Sequence, residues 1–262
     1  MKRSLIFIAL GASASCWAID IPRIGYARDP RGMVRAIDGV SGNFLVGDPV
    51  AADAAVAFAW NGSFGVRKTE TAVELWDSTG TKTATFDAAA GAVVIGFDRS
   101  NAQTAWMYSR SARTLWQLTT AGLDGAPVSL AKGEEVLAVS GSSLASIEIA
   151  LRRGVGIFVA TFDKAGGSRT AERALGGVPA SLQILLLPDG SILGVTGAQV
   201  WLRRADGSQW MSATGHDVRE LAWMGREWIQ LSGPGVQLAL RIRAGSDPVL
   251  YIIPAQADGV SR

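Results

Sequence analysis

The one histidine of the sequence, His216, is followed at once by Asp217. An imidazole beside a carboxylate is the pairing that moves protons in acid–base catalysis. Adjacent residues on an extended strand point to opposite sides, so they rarely serve one site. The setting Thr214-Gly215-His216-Asp217 reads as a loop between repeats, and a turn role is expected. A single histidine also excludes the multi-histidine centres of many metalloenzymes. Nucleophile motifs are missing: there is no Gly-x-Ser-x-Gly, and the Gly/Ser turn Ser140–Ser143 has no second histidine to act as base. Gly154-Val155-Gly156 lacks the third glycine and following helix of a dinucleotide loop, and no Walker sequence is present. Glu134-Glu135 is the only adjacent acidic pair, expected in a solvated turn. No catalytic residue, metal site or cofactor is expected.

Binding chemistry is better represented. Paired arginines recur as Arg152-Arg153, Arg203-Arg204 and Arg241-x-Arg243. Stacked from repeat to repeat, they would form a basic band for carboxylate, sulfate or acidic glycans. The competing expectation is solvent-facing arginines balanced by Glu74, Asp163 and Glu172. There are nine tryptophans. Trp76, Trp116 and Trp201 hold one repeat position, which predicts packing between repeats. Trp223 and Trp228 flank Met224-Gly225-Arg226 less regularly. Burial is the commoner fate of such rings, and a stacking platform for sugar or peptide is the alternative. The ligand-binding candidates are therefore Trp223, Trp228, Arg226, Arg203 and Arg204.

The elements that must position these residues follow a weak repeat of roughly 40 residues, the spacing of propeller blades. An aromatic-centred strand runs into a glycine turn at Tyr26–Gly32, Trp76–Gly80, Trp116–Gly125, Phe158–Gly166 and Trp201–Gly207, and without an aromatic at Leu240–Gly245. Five sets of four strands are expected. They are Ala55–Trp60, Phe64–Thr69, Ala72–Asp77 and Thr81–Phe86; Val93–Phe97, Ala105–Ser109, Thr114–Thr119 and Ala126–Leu130; Val136–Val139, Ser146–Arg152, Gly156–Phe162 and Arg169–Ala174; Leu182–Leu187, Ser191–Thr196, Gln199–Arg203 and Ser208–Ser212; and Arg219–Trp223, Glu227–Leu231, Val236–Arg243 and Val249–Ile253. Asn61-Gly62, Pro188-Asp189-Gly190 and Asp206-Gly207 supply turn chemistry. An orphan pair, Ile24–Arg28 and Met33–Ile37, reads as two outer strands, and Asn43–Val50 holds a further strand. The expectation is an all-β propeller of six blades, with five or seven as alternatives, closed by N-terminal strands beside the C-terminal set. Closure removes sheet edges that invite aggregation.

Hydrophobic residues make up 48% and charged residues 18% of 262, which supports a sizeable core and excludes a disordered chain. Residues 1–18 read as a signal peptide: Lys2 and Arg3, the apolar Leu5–Leu10, then small residues before a cleavage site after Ala18. Residues 19–262 would then be one propeller domain. Lipid anchoring through Cys16 is not expected, because leucine is missing three residues before it. Removing the signal takes away two of 25 basic residues, leaving 23 against 23 acidic ones. A neutral chain is a poor nucleic-acid binder, and no later apolar run is long enough for a transmembrane helix.

The stretch Ile24–Gly42, with Gly25-Tyr26, Val34-Arg35 and Gly39-Val40-Ser41-Gly42, resembles the opening of secreted propeller-like proteins of soil bacteria of the acidobacterial type. The resemblance implies a propeller and export, and adds no catalytic residue. The reading is a periplasmic or extracellular, monomeric, non-catalytic module that binds an envelope or extracellular protein or glycan through loops on one face. The alternatives are a propeller hydrolase or lyase with a metal in the central channel, and a purely structural envelope protein.

Overall fold

The computed structural model describes residues 21–255 apart from 166, 180 and 182. The expected signal peptide, residues 1–18, with Cys16 in it, lies outside the described residues. The described residues fold into strands and turns, with no helix among them. They build six antiparallel sheets, five of four strands and one of three. Blade I holds β1 (Arg23–Arg28), β2 (Val34–Val40) and β3 (Asn43–Pro49). Blade II holds β4 (Ala57–Trp60), β5 (Gly65–Lys68), β6 (Ala72–Trp76) and β7 (Lys82–Asp87). Blade III holds β8 (Val93–Phe97), β9 (Ala105–Ser109), β10 (Thr114–Thr119) and β11 (Gly122–Pro127). Blade IV holds β12 (Glu134–Gly141), β13 (Ser146–Arg153), β14 (Gly156–Asp163) and β15 (Arg169–Ala174). Blade V holds β16 (Gln183–Leu186), β17 (Ile192–Val195), β18 (Gly197–Arg203) and β19 (Gln209–Val218). Blade VI holds β20 (Glu220–Gly225), β21 (Trp228–Gly233), β22 (Val236–Arg241) and β23 (Val249–Ile252). The chain is a six-bladed β-propeller.

The inner ring has five strands, not six. β4, β8, β12, β16 and β20 each pack on their neighbours, and β20 meets β4 directly. Blade I lacks this inner position. Its β1 packs behind β4 and β20 and runs against them: Gly25, near its start, abuts Met224 at the end of β20, whereas Arg28, at its end, pairs with Glu220 at the start of β20. The N-terminal strands thus close the ring beside the C-terminal blade, as expected. The orphan pair corrects inward by one place: β1 and β2 take the second and third positions of blade I, and β3 is its outermost strand. A strand's radial position depends on which blades flank it, and local pattern does not carry that.

Closure rests on three kinds of contact. Tyr26 packs edge-on against Trp60, with ring centroids 4.7 Å apart, and near Phe58 and Trp76, seating blade I on blade II. Phe44, Trp228 and Tyr251 do the same toward blade VI. Such pairs add about 0.5–1.5 kcal/mol beyond area burial. Backbones also touch: a Cβ on Gly25 would lie 1.7 Å from the Met224 carbonyl oxygen, and one on Gly225 would lie 2.3 Å from that of Ile24. Finally, buried Gln230 accepts from the Arg28 N–H at 2.9 Å and donates to the Arg28 carbonyl at 2.6 Å. Its carboxamide stands where an inner strand would have paired with β1. The Arg28 guanidinium donates to the carbonyls of Ala55 and Val56 at 3.2 and 2.9 Å.

Two further expectations are corrected. The outer strand of blade III spans Gly122–Pro127 rather than Ala126–Leu130. Gly125 lies under the Trp116 ring, where a Cβ would meet it at 2.8 Å, so its glycine leaves room for an aromatic and does not mark a turn. β19 extends through His216 to Val218, past a bulge opposite Gly197–Gln199, so His216 sits on an exposed strand extension and not in a loop. No helix of the described residues is long and apolar enough to cross a membrane.

Candidate functional site

The inner strands run the same way around the ring: Asp98 and Gly141, past the end of β8 and at the end of β12, form a parallel bridge. The propeller therefore has an inlet face, where inner strands begin, and an outlet face, where they end. In each four-stranded meander the first and third turns reach the outlet face.

The inlet opens on a channel cavity of about 300 Å³, walled by apolar side chains including Val93, Ile95, Leu137, Leu185 and Trp223. The Arg28–Glu220 and Arg110–Glu135 pairs ring its mouth. The Nε1–H of Trp223 is buried without a partner, and its ring meets Phe97 edge-on at 6.2 Å. Among the described residues no three His, Cys, Asp or Glu side chains group closely enough to hold a metal ion.

Asn and Asp side chains at the outlet face shape turns. Asn61, Asp77, Asp98, Asp189 and Asp206 each accept the backbone N–H and the hydroxyl of the Ser or Thr two residues on. These are Asx turns, repeated in blades II, III and V. Asp98 does more. It accepts from the Trp106 indole at 3.2 Å and from Lys164 at 3.0 Å, tying blade III to blade IV. Burial alone would raise its pKa, but these donors and Ser100 hold it below the ordinary carboxylate value.

The arginine pairs separate. Arg152 and Arg153 end β13, a second strand, and so lie toward the inlet. Arg152 binds Glu135 and the Ser181 carbonyl, and Arg153 binds Glu134 and Glu172. Arg169 also reaches Glu134, and the Ala131 N–H donates to it at 2.7 Å. Burial pushes the Glu134 pKa up, yet these donors outweigh it and bring the value down to about 2. Arg203, Arg204, Arg241 and Arg243 end third strands and lie toward the outlet. The single band is corrected: strands of opposite sense deliver their ends to opposite faces. Of the balancing acids, Glu172 holds Arg153 and Arg169, and Glu74 holds Arg67 and Lys82.

Trp223 and Trp228 form no platform. Trp223 pairs with Ile229 across β20 and β21 and shares its face, so Trp228, adjacent to Ile229, points the other way. Both rings are buried, Trp228 between Phe44 and Tyr251 under the Arg241 guanidinium. Arg226, between them in sequence, is exposed on the outlet face, its backbone against the Asn61-Gly62 turn.

The Arg203-Arg204 pair opens on a cleft of about 280 Å³ between blades IV and V, shared with Arg99, Arg173 and Glu148. Arg203 donates to the Gly176 carbonyl at 2.8 Å. Arg204 ties blade V to blade VI through the Ser246 carbonyl and Asp247, each at 3.0 Å. Arg99 and Arg173 are lone arginines far apart in sequence, and only their convergence in the fold singles them out.

No known protein family and no curated protein matches this sequence. Solved structures do. A chain of a nidogen/laminin complex is 8% identical with a TM-score of 0.58, covering 88% of this chain and 93% of that one. The β-propeller domain of Myceliophteria thermophila Cps50 (Swd1) is 11% identical with a TM-score of 0.48, covering 78% of this chain and 71% of that one. A streptogramin B lyase is 13% identical with a TM-score of 0.48, covering 90% and 85%. At these identities the first likeness supports the fold alone, and the other two carry no argument.

Proposed function

We propose that the chain is an exported, non-catalytic binding or scaffolding module that recognises an envelope or extracellular protein or glycan through its outlet-face loops. One observation carries the reading. Arg173, Arg203 and Arg226 border the outlet-side cleft or face with no carboxylate partner among the described residues, beside Arg99, Arg204, Arg241 and Arg243, which each have one. Guanidiniums without a carboxylate partner, held on the face of a bolted ring, suit an acidic partner. Export with residues 1–18 as signal, a periplasmic or extracellular location, a monomeric state and no nucleic-acid role belong to the same proposal.

The test is a crosslinking capture from native envelope and culture fractions, with the chain from Ile19 as bait. A reproducible partner that is lost when Arg203 and Arg226 are both changed to Ala supports the reading. Equal capture by bait and variant, or no capture, overturns it.

A further inference from the structure

The cleft between blades IV and V is built from four strands and loops that sequence keeps apart. Arg99 follows Asp98 in the β8–β9 loop. Its N–H donates to the Gly141 carbonyl at 2.9 Å, which carries the side chain beneath blade IV. Its guanidinium lies 2.8 Å from Glu148 on β13, and its Nε is buried without a partner. Arg173 enters from β15: it pairs with Val159, so it shares the blade-face of Ala150 and Glu148 that looks toward blade V. It has no hydrogen-bond or ion-pair partner among the described residues. Arg203 enters from the end of β18, and Gly190, Ile192, Ala205 and Gly207 complete the lining, while Arg204 borders the cleft with its guanidinium turned to blade VI.

The charge does not close. Four arginines and one glutamate line the cleft, 4 − 1 = 3 positive. Asp247, outside the lining, neutralises Arg204 and leaves two positive charges. Like charges converging on one open cleft repel, and a bound anion relieves that cost. A flat carboxylate occupies one guanidinium fork. Forks arriving from blades III, IV and V instead suit an acceptor with oxygens pointing in several directions. The volume, about 280 Å³ and just below the usual ligand range of about 300–1,000 Å³, fits a head group and not a large molecule.

We propose that this cleft is a binding site for a tetrahedral oxyanion, phosphate or sulfate, carried as an ester on the partner and held by Arg99, Arg173 and Arg203. The proposal rests on the outlet-face reading above and gives that face a ligand chemistry.

The experiment titrates the purified mature chain with inorganic phosphate and, separately, inorganic sulfate, against sodium chloride of equal ionic strength. Thermal shift and calorimetry are the readouts. Saturable binding of either anion, weakened at least tenfold in Arg173→Gln and unchanged in Lys132→Gln, is expected. Arg173 touches no partner and Lys132 is exposed and outside the cleft, so both variants should fold as the parent does. The stronger anion in the pair, followed by a phosphohexose and a sulfohexose, identifies the ester. Shifts no larger than those of chloride, or equal weakening in both variants, overturn the proposal. Oxyanion binding with no partner captured would leave this site standing and sink the broader recognition reading. Capture of a partner without oxyanion binding would do the reverse.

Discussion

Replacing Gln230 by Leu tests whether one carboxamide stands in for a missing strand. The change keeps side-chain volume nearly constant, so no cavity term enters. It removes two hydrogen bonds to Arg28, one accepted from its N–H and one donated to its carbonyl. The carbonyl keeps a second donor, Gln237 Nε2 at 2.7 Å, while the N–H is left with none. An orphaned buried N–H costs about 1–3 kcal/mol and the other lost bond about 1 kcal/mol, so the expected destabilisation is about 2–4 kcal/mol. Gln237→Leu removes only the spare donor and should cost about 1 kcal/mol. Equilibrium urea unfolding followed by tryptophan fluorescence measures both, with an unchanged slope confirming that the same surface unfolds. A Gln230→Leu cost below about 0.5 kcal/mol, or equal to that of Gln237→Leu, would refute the idea that this side chain completes the inner wall, since surface changes alone fall in that range.

Gly25→Ala should destabilise by at least about 3 kcal/mol or abolish folding, because its Cβ would enter the Met224 carbonyl and only backbone can give way; thermal unfolding reads this directly. Glu134 has a folded pKa of about 2 against an ordinary 4.5, so its stabilisation is complete above about pH 4.5 and lost as pH falls toward 2. With the side chain buried, that difference is worth roughly 3 kcal/mol, and Glu134→Gln should flatten the acid limb of the stability–pH curve; an unchanged limb would contradict it. Asp98→Asn should cost about 2–3 kcal/mol, below the value for a fully buried pair because Lys164 retains some exposure, and urea midpoints would show it.

The strands were legible because each is a β-friendly run stopped by glycine or an Asx turn, a signal contained in ten residues. Ala105–Ser109, Thr114–Thr119 and Arg169–Ala174 fall on the expected bounds for that reason. Even the mismatch was visible: the sequence offers an orphan N-terminal set against five complete fours. What local pattern does not contain is which neighbour a strand faces. The role of Arg28 depends on Glu220 and Gln230, 192 and 202 residues away. Trp223 and Trp228 looked like a pair because they flank one turn, yet Trp223 sits opposite Ile229, so Trp228, the next residue on β21, turns to the other face. Arg203-Arg204 announced itself by adjacency, whereas Arg99 and Arg173 carry no such mark.

The closure and the cleft also sit apart on the ring. Blade I is bolted between blades II and VI, and the cleft lies between IV and V, across the channel. Nothing in Gln230, Gly25 or Tyr26 touches Arg99, Arg173, Arg203 or Arg204. Perturbations at distant sites without shared partners add independently. A Gln230→Leu chain that remains folded should therefore bind phosphate or sulfate with the parent's affinity while unfolding at lower urea. If its oxyanion affinity fell in step with its stability, the cleft would depend on closure of the ring as a whole. The two halves of the molecule would then be one cooperative device and not a scaffold that carries a separate site.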